Sequence, residues 1–256
     1  MKAFSAPGGF LAETLPTGPA WFHPDAKKPI LTFWKRTDGG LPLGKVVGRH
    51  PDSRRFPGRG TVVSAPFTGL GTVILRPCVH GGLWGRIARD LYLGPGRVRR
   101  EIHRSERLTR LGIPTPRILA ALFYPAGPLF RMEVATSFIP GGRDLNDLLS
   151  SRPLAGQRSR IFSAVRKLLE KLQRHGLRHP DLNARNILLS PSGSGSWVAW
   201  LLDVDAVRFG DPASPAVATA NRHRLLRSLL KLARLGDLGW SEQEVPRLWR
   251  ELFPDA

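Results

Sequence analysis

Apolar residues in this chain change their spacing from region to region, and each spacing predicts an element. TVVSA and TVILR, within residues 61–76, are β-branched runs separated by residues 66–71, the pattern of a β-hairpin. Residues 97–111 switch to helical spacing. Val98, Ile102, Leu108 and Leu111 lie roughly on one face, and Gly112, Pro114 and Pro116 stop the helix. Residues 118–124 and 131–138 read as two strands, and residues 144–149 as a short helix after a Pro-Gly-Gly turn. The clearest stripe runs over residues 157–175, where Ile161, Val165, Leu168, Leu169 and Leu172 repeat at i, i+4, i+7, i+8 and i+11. Gly176 suits the C-cap of that helix. After a loop at 178–185, the apolar runs 186–189 and 197–204 flank the polar turn PSGSGS and predict a second hairpin. Residues 222–235 form a further helix, with leucines at 225, 229, 232 and 235.

Residues 1–57 are rich in Pro, Gly and Arg and read as an irregular extension, with one candidate strand at 30–34. No internal repeat is visible. Strands and one helix come first, and mainly helices around a small hairpin follow. This order predicts an α+β chain of two lobes, 58–138 and 139–256, with a hinge near 136–142.

A length of 256 residues suits one large domain or two small lobes, and 41% hydrophobic with 23% charged residues is ordinary globular composition. The charge balance is not ordinary: 39 Lys+Arg against 20 Asp+Glu give a net +19. A field of that size attracts polyanions, namely nucleic acid, an anionic membrane face or a phosphorylated substrate. The plainer reading of part of the excess is a genome that favours arginine, since only eight of the 39 basic residues are lysines. Cys78 is the lone cysteine, which excludes an intramolecular disulfide and fits a reducing cytosol. The first residues lack the apolar stretch of a signal peptide. The best candidate for a span, 118–130, is broken by Pro125 and Pro128, so a soluble or peripheral protein is expected.

The most informative stretch is His179-Pro-Asp-Leu-Asn-Ala-Arg-Asn186-Ile-Leu-Leu, followed by Leu202-Asp203-Val-Asp205. Phosphoryl transfer from ATP needs a carboxylate near the acceptor hydroxyl and oxygen ligands for Mg²⁺. Asp181 and Asn186 stand five apart, the spacing of the kinase catalytic loop H-x-D-x-x-x-x-N, and Asp203 closes the next strand, where a kinase places its D-F-G aspartate. One such spacing alone is weak. A preceding histidine, a following apolar strand and a second strand ending in aspartate make it specific.

With these residues in view, the chain resembles the Kdo (3-deoxy-D-manno-octulosonic acid) kinase and lipopolysaccharide core heptose kinase family, from about residue 58 to 235. The resemblance rests on GRGT at 58–61, LR at 75–76 with a trailing GG, REI at 100–102, LGIPTP at 111–116, IPGGRDL at 139–145, HPDLNARNILL at 179–189, LLDVD at 201–205 and RLLRSLLKL at 224–232. It implies a bilobal protein-kinase-like fold, with a small, mainly antiparallel N-lobe holding one helix and a shortened, mainly helical C-lobe. The implied activity is ATP-dependent phosphorylation of a sugar hydroxyl of the lipopolysaccharide inner core, Kdo on a lipid A precursor first. The implied place is the cytoplasmic face of the inner membrane. Carried over by position, Asp181 resembles the catalytic base, Asn186 and Asp203 the Mg²⁺ ligands, and His179 the residue that braces the loop.

Three departures from protein kinases narrow the acceptor. Asn183 replaces the lysine that Ser/Thr protein kinases carry two residues after the catalytic aspartate. Pro180 replaces the arginine that reads activation-loop phosphorylation, so no such switch is expected. No A-P-E motif follows Asp205, which favours a sugar over a peptide acceptor. A kinase also needs a cation on the nucleotide phosphates. No lysine lies between 46 and 166, and Arg76 ends a strand at a suitable distance before Glu101. Arg76 is therefore the expected phosphate cation and Glu101 its partner. Gly58 and Gly60 are candidates for a loop over the phosphates, although Gly69 and Gly71 offer the same G-x-G in what reads as a hairpin turn.

Softer signals remain. Arg86, Arg89, Arg97, Arg99, Arg100, Arg104 and Arg107 crowd one region, and Arg222, Arg224, Arg227, Lys231 and Arg234 decorate the late helix. They read either as solvated faces or as a dock for lipid A phosphates and an anionic membrane surface. Leu83, Trp84 and Tyr92 are either interfacial anchors or core. His80, His103, His175 and His223 lack metal-ligand spacing, so no zinc site is expected. The alternatives are a kinase acting on protein or another small molecule, and a basic nucleic-acid-binding module on a kinase fold. No aromatic-interleaved RNA motif is present, and no nucleic-acid partner is expected. The oligomeric state and the hydroxyl phosphorylated stay open.

Overall fold

The structure, a computed structural model, describes residues 4–37, 40–56, 60–80, 90–151, 156–193 and 195–254. The chain divides into two units. One comprises Met1–His103 and Pro116–Phe138, the other Arg104–Thr115 and Ile139–Ala256.

Seven antiparallel strands form the frame of the first unit. They are β1 (Leu11–Leu15), β2 (Gly18–Phe22), β3 (Arg54–Phe56), β4 (Val62–Phe67), β5 (Gly71–Pro77), β6 (Ile118–Ala126) and β7 (Leu129–Ser137), in the order β1-β2-β6-β7-β5-β4-β3. The expected hairpin is β4–β5, with Val63 opposite Leu75 and Ala65 opposite Val73. Its turn holds Gly69 and Gly71 at positive φ, so that G-x-G is a hairpin turn.

Neighbouring residues of a strand point to opposite faces, and here both faces are covered. Phe22, Leu122 and Val73 share a core with Ala26, Ile30 and Trp34 of helix α1 (Pro24–Thr37) and Leu43 and Val47 of α2 (Leu43–Val47). Trp21, Phe123, Met132 and Val134 share another core with Val98 and Ile102 of α3 (Gly96–Arg110). Burial on both sides explains the unbroken apolar run at 118–124, which is the centre of a sheet.

Residues 1–57 therefore differ from the irregular extension expected. They hold β1, β2, α1, α2 and β3, and their apolar side chains cover one face of the sheet. The candidate strand at 30–34 is helical. Ala26, Ile30 and Trp34 are buried at a spacing of four, a helical stripe that outweighs the β-prone Ile-Leu-Thr-Phe run. Gly18 lies so close to β6 that a Cβ there would meet the Phe123 carbonyl oxygen at 2.1 Å.

The second unit is mainly helical. It contains β8 (Arg143–Asp144), α4 (Leu145–Ser150), α5 (Arg158–Arg174), β9 (Leu177–Arg178), β10 (Ile187–Pro191), β11 (Trp197–Leu201), β12 (Arg208–Phe209), α6 (Pro215–Arg234) and α7 (Val245–Leu252). Asp144 caps α4 by accepting from the Asp147 N–H at 2.8 Å. The α5 stripe Ile161, Val165, Leu168 and Leu172 packs with Leu225 and Leu229 of α6 and Val245, Leu248 and Leu252 of α7. Helix α7 lies beyond residue 235, the end of the motifs legible in the sequence. Helix α6 starts seven residues before the expected position 222 because Pro215 at its first turn opens it. Gly176, at φ +64°, turns the chain from α5 into β9. A Cβ there would meet the Gly210 and Asp211 carbonyl oxygens at 2.4 and 2.5 Å. No helix among the described residues is long and apolar enough to cross a membrane.

Candidate active site

The loop between β9 and β10 is held from three directions. Within the loop, the Asn183 side chain accepts from the Arg185 and Asn186 N–H groups at 3.0 and 3.1 Å. The side-chain amides of Asn183 and Asn186 both donate to the Asp181 carbonyl, at 3.0 and 2.9 Å. Asn186 also joins the loop to the next hairpin strand, since its backbone carbonyl accepts from Leu202 N–H at 2.9 Å, one residue before Asp203. Asn186 thus ties the Asp181 backbone to the strand end that leads into Asp203. Asp203 itself adopts φ 55°, ψ 47°, a left-handed conformation that aspartate tolerates better than most residues.

His179 supplies the second hold. It is 1% exposed, and its Nε2 lies 3.2 Å from the Leu202 carbonyl. Burial lowers its pKa below the ordinary histidine value, so the neutral ring with Nε2–H donating is the consistent form.

The third hold comes from α6. Asn221, 1% exposed, accepts from the His179 N–H at 3.0 Å and donates to the Leu177 carbonyl at 2.9 Å. Ser228 Oγ accepts from the Ala184 N–H at 3.2 Å. Between them Arg224 donates to Asp181 Oδ1 at 2.6 Å. These three positions, i, i+3 and i+7, lie on one face of α6. In sequence Arg224 is one residue of the basic run on the late helix, and neither Asn221 nor Ser228 is among the candidate residues. The available signal is a polar stripe beside the leucine stripe of the same helix.

In the first unit, the Arg76 guanidinium on β5 forms an ion pair with the Glu101 carboxylate on α3. Glu101 is 3% exposed and Arg76 half-buried. Gly60 precedes β4, and a Cβ there would meet the side chain of Pro77, the neighbour of Arg76, at 2.6 Å. Gly58 lies outside the described residues.

Several of the basic residues are used internally. Arg97 donates to the Val79 carbonyl at 2.8 Å and to the Tyr92 hydroxyl at 2.6 Å, and Arg99 donates to the Ser5 carbonyl at 2.7 Å. Arg104 donates to the Asp205 carbonyl, and the Arg107 guanidinium sits 3.8 Å from the Phe209 ring centroid. Tyr92 is buried and belongs to the core. Arg86, Arg89, Leu83 and Trp84 lie outside the described residues.

The buried, neutral His179 has a consequence for stability. In the unfolded chain its imidazole protonates near pH 6.5, whereas the native ring resists protonation until lower pH. Unfolding then takes up a proton as pH falls through 6.5, and the native state loses stability, by at most about 1.4 kcal/mol per pH unit for this group. We expect the urea unfolding free energy of the wild type to fall from pH 7.5 to 5.5 more than that of His179→Asn. Equal falls in the two proteins would remove His179 from the acid response.

With this geometry in place, known proteins supply the comparison. The model of the Lipopolysaccharide kinase (Kdo/WaaP) family matches residues 54–251, which leaves β1, β2, α1 and α2 outside it. A 3-deoxy-D-manno-octulosonic acid kinase of Stenotrophomonas maltophilia (strain R551-3) is 37% identical over 181 residues, covering 68% of each chain. That of Xanthomonas oryzae pv. oryzae (strain PXO99A) is 38% identical over 181 residues, again 68% of each chain. That of Haemophilus influenzae (strain PittEE) is 32% identical over 185 residues, covering 70% of this chain and 73% of the other. A solved structure described as WaaP in complex with acyl carrier protein is similar at a TM-score of 0.49 and 18% identity, covering 88% of this chain and 87% of that one.

Proposed function

The chain belongs to the lipopolysaccharide kinase (Kdo/WaaP) family, and from that premise we propose that it transfers the terminal phosphate of ATP to a Kdo hydroxyl of the lipopolysaccharide inner core. The observation that carries this reading is the position of Asn186. Its side-chain amide donates to the Asp181 backbone carbonyl and its own carbonyl accepts from the N–H of Leu202, the residue before Asp203, so one residue ties the loop that carries Asp181 to the strand end that leads into Asp203.

Asp181 is the base in this reading. Its carboxylate accepts the proton of the sugar hydroxyl, the hydroxyl oxygen attacks the terminal phosphorus, and ADP leaves. Arg76, fixed by Glu101, is the cation that meets the nucleotide phosphates, and Gly60 lets the backbone pass close to the end of β5. The residues also suit Mg²⁺. With its nitrogen donating to the Asp181 carbonyl, Asn186 keeps its amide oxygen as an acceptor, and Asp203 adds a carboxylate, both hard oxygen donors. A bound magnesium ion supplies charge neutralisation on the phosphate oxygens. The chain's own residues orient the acceptor and receive its proton.

The acceptor is lipid-linked, so the protein works at the cytoplasmic face of the inner membrane as a peripheral protein. The net charge of +19 supports attraction to anionic lipid and lipid A phosphates. The test is purified protein with labelled ATP–Mg²⁺ offered Kdo-lipid A precursor, heptosylated core or a generic protein. Label is expected on the Kdo-bearing acceptor. Label on protein alone would eliminate this reading.

A further inference from the structure

The contact between Arg224 and Asp181 is not needed to hold the loop. The Asp181 backbone is already fixed by the amides of Asn183 and Asn186, and α6 already grips the loop through Asn221 and Ser228. Those contacts all hold backbone groups. Arg224 alone of the three α6 residues reaches the side chain that is to accept a proton, at 2.6 Å from Oδ1.

This arrangement leaves both partners short. One oxygen of the base is occupied by a guanidinium rather than open to a hydroxyl. The guanidinium is itself half-used: its Nε is buried and has no hydrogen-bond partner among the described residues. Arginine meets carboxylates best through two parallel N–H···O bonds, and here a single bond is made. Both side chains stay open to an incoming molecule, with 36% of Arg224 and 47% of Asp181 exposed.

We propose that Arg224 recognises the carboxylate of the acidic sugar acceptor. Without acceptor it rests on Asp181. When the sugar arrives, its carboxylate takes the guanidinium and frees the Asp181 oxygen for the hydroxyl proton. A neutral sugar or a protein hydroxyl brings no anion for this exchange and leaves the base occupied. Arg224 is then a specificity residue that touches substrate, and the exchange couples acceptor choice to readiness of the base. The inference rests on the acidic-sugar reading given above.

The experiment compares two acceptors on the full chain: Kdo-lipid A precursor, and the same molecule with the sugar carboxylate converted to the amide. Wild type is expected to prefer the carboxylate by about ten- to a hundredfold in kcat/KM, the weight of a charge-assisted pair. In Arg224→Gln the ratio of the two acceptors collapses towards one, and Arg224→Lys keeps part of it. The ratio is taken within each variant, so the amount of folded enzyme cancels. An Arg224→Gln ratio equal to that of wild type overturns the proposal, as does a wild type indifferent to the amide, and both leave the Kdo kinase reading intact. Wild type that labels neither sugar overturns that reading first, and this inference with it.

Discussion

Asp181→Ala is expected to lower phosphate transfer by about a hundred- to ten-thousandfold while leaving nucleotide binding largely unchanged. The substitution removes the proton acceptor and nothing that shapes the loop. The two amide bonds to residue 181 end on its backbone carbonyl, which alanine keeps, and the contacts from Asn221 and Ser228 end on other residues. Arg224 loses its carboxylate partner but is partly exposed, so water can receive its donors. Single-turnover transfer of labelled phosphate measures the chemical step, and titration with a fluorescent ATP analogue measures binding. Asp181→Asn is a useful companion, because it keeps the shape without the charge. Transfer within tenfold of wild type in both variants would take Asp181 out of the role of base.

The parts of this site that the sequence makes legible are the local ones. Asp181 and Asn186 lie five residues apart on one loop, so their spacing alone displays the motif, and the β10–β11 hairpin sets the distance to Asp203. The α5 stripe is legible for the same reason, since 3.6-residue periodicity is a property of one segment. Arg224 is not legible. Its meaning depends on a contact 43 residues away along the chain, and in sequence it is one arginine in a basic run. The same holds for Asn221, which joins His179 across 42 residues. The N-terminal region fails differently. Residues 30–34 are β-prone locally, and only burial of every fourth side chain against the sheet makes them helix. Arg76 and Glu101 form an intermediate case. The chemistry a kinase requires points to each of them in the sequence, and the fold joins them as an ion pair.

That pair supports the other large effect. Arg76→Ala is expected to reduce kcat/KM for ATP by about a hundred- to a thousandfold, the loss that follows removal of a preorganised charge from a phosphoryl-transfer site. A structural role alone would also produce a loss, because Glu101 is 3% exposed and its Oε2 is buried with no hydrogen-bond partner among the described residues. Deleting its cation strands a buried carboxylate, which costs about 3–5 kcal/mol where burial is complete and less here, since the Arg76 side chain is 29% exposed. The two roles separate in a double variant. Replacing both partners with apolar residues, Arg76→Met with Glu101→Leu, removes the stranded charge and is expected to recover most of the melting temperature. It supplies no cation for the phosphates, so kcat/KM for ATP should stay as low as in Arg76→Ala. Arg76→Lys, which keeps a positive charge on the strand, should recover turnover to within about tenfold of wild type. Melting curves and ATP-dependent transfer rates on the four proteins decide the matter. If the double variant regains activity together with stability, Arg76 is a strut for α3, and the phosphate cation has to be sought elsewhere.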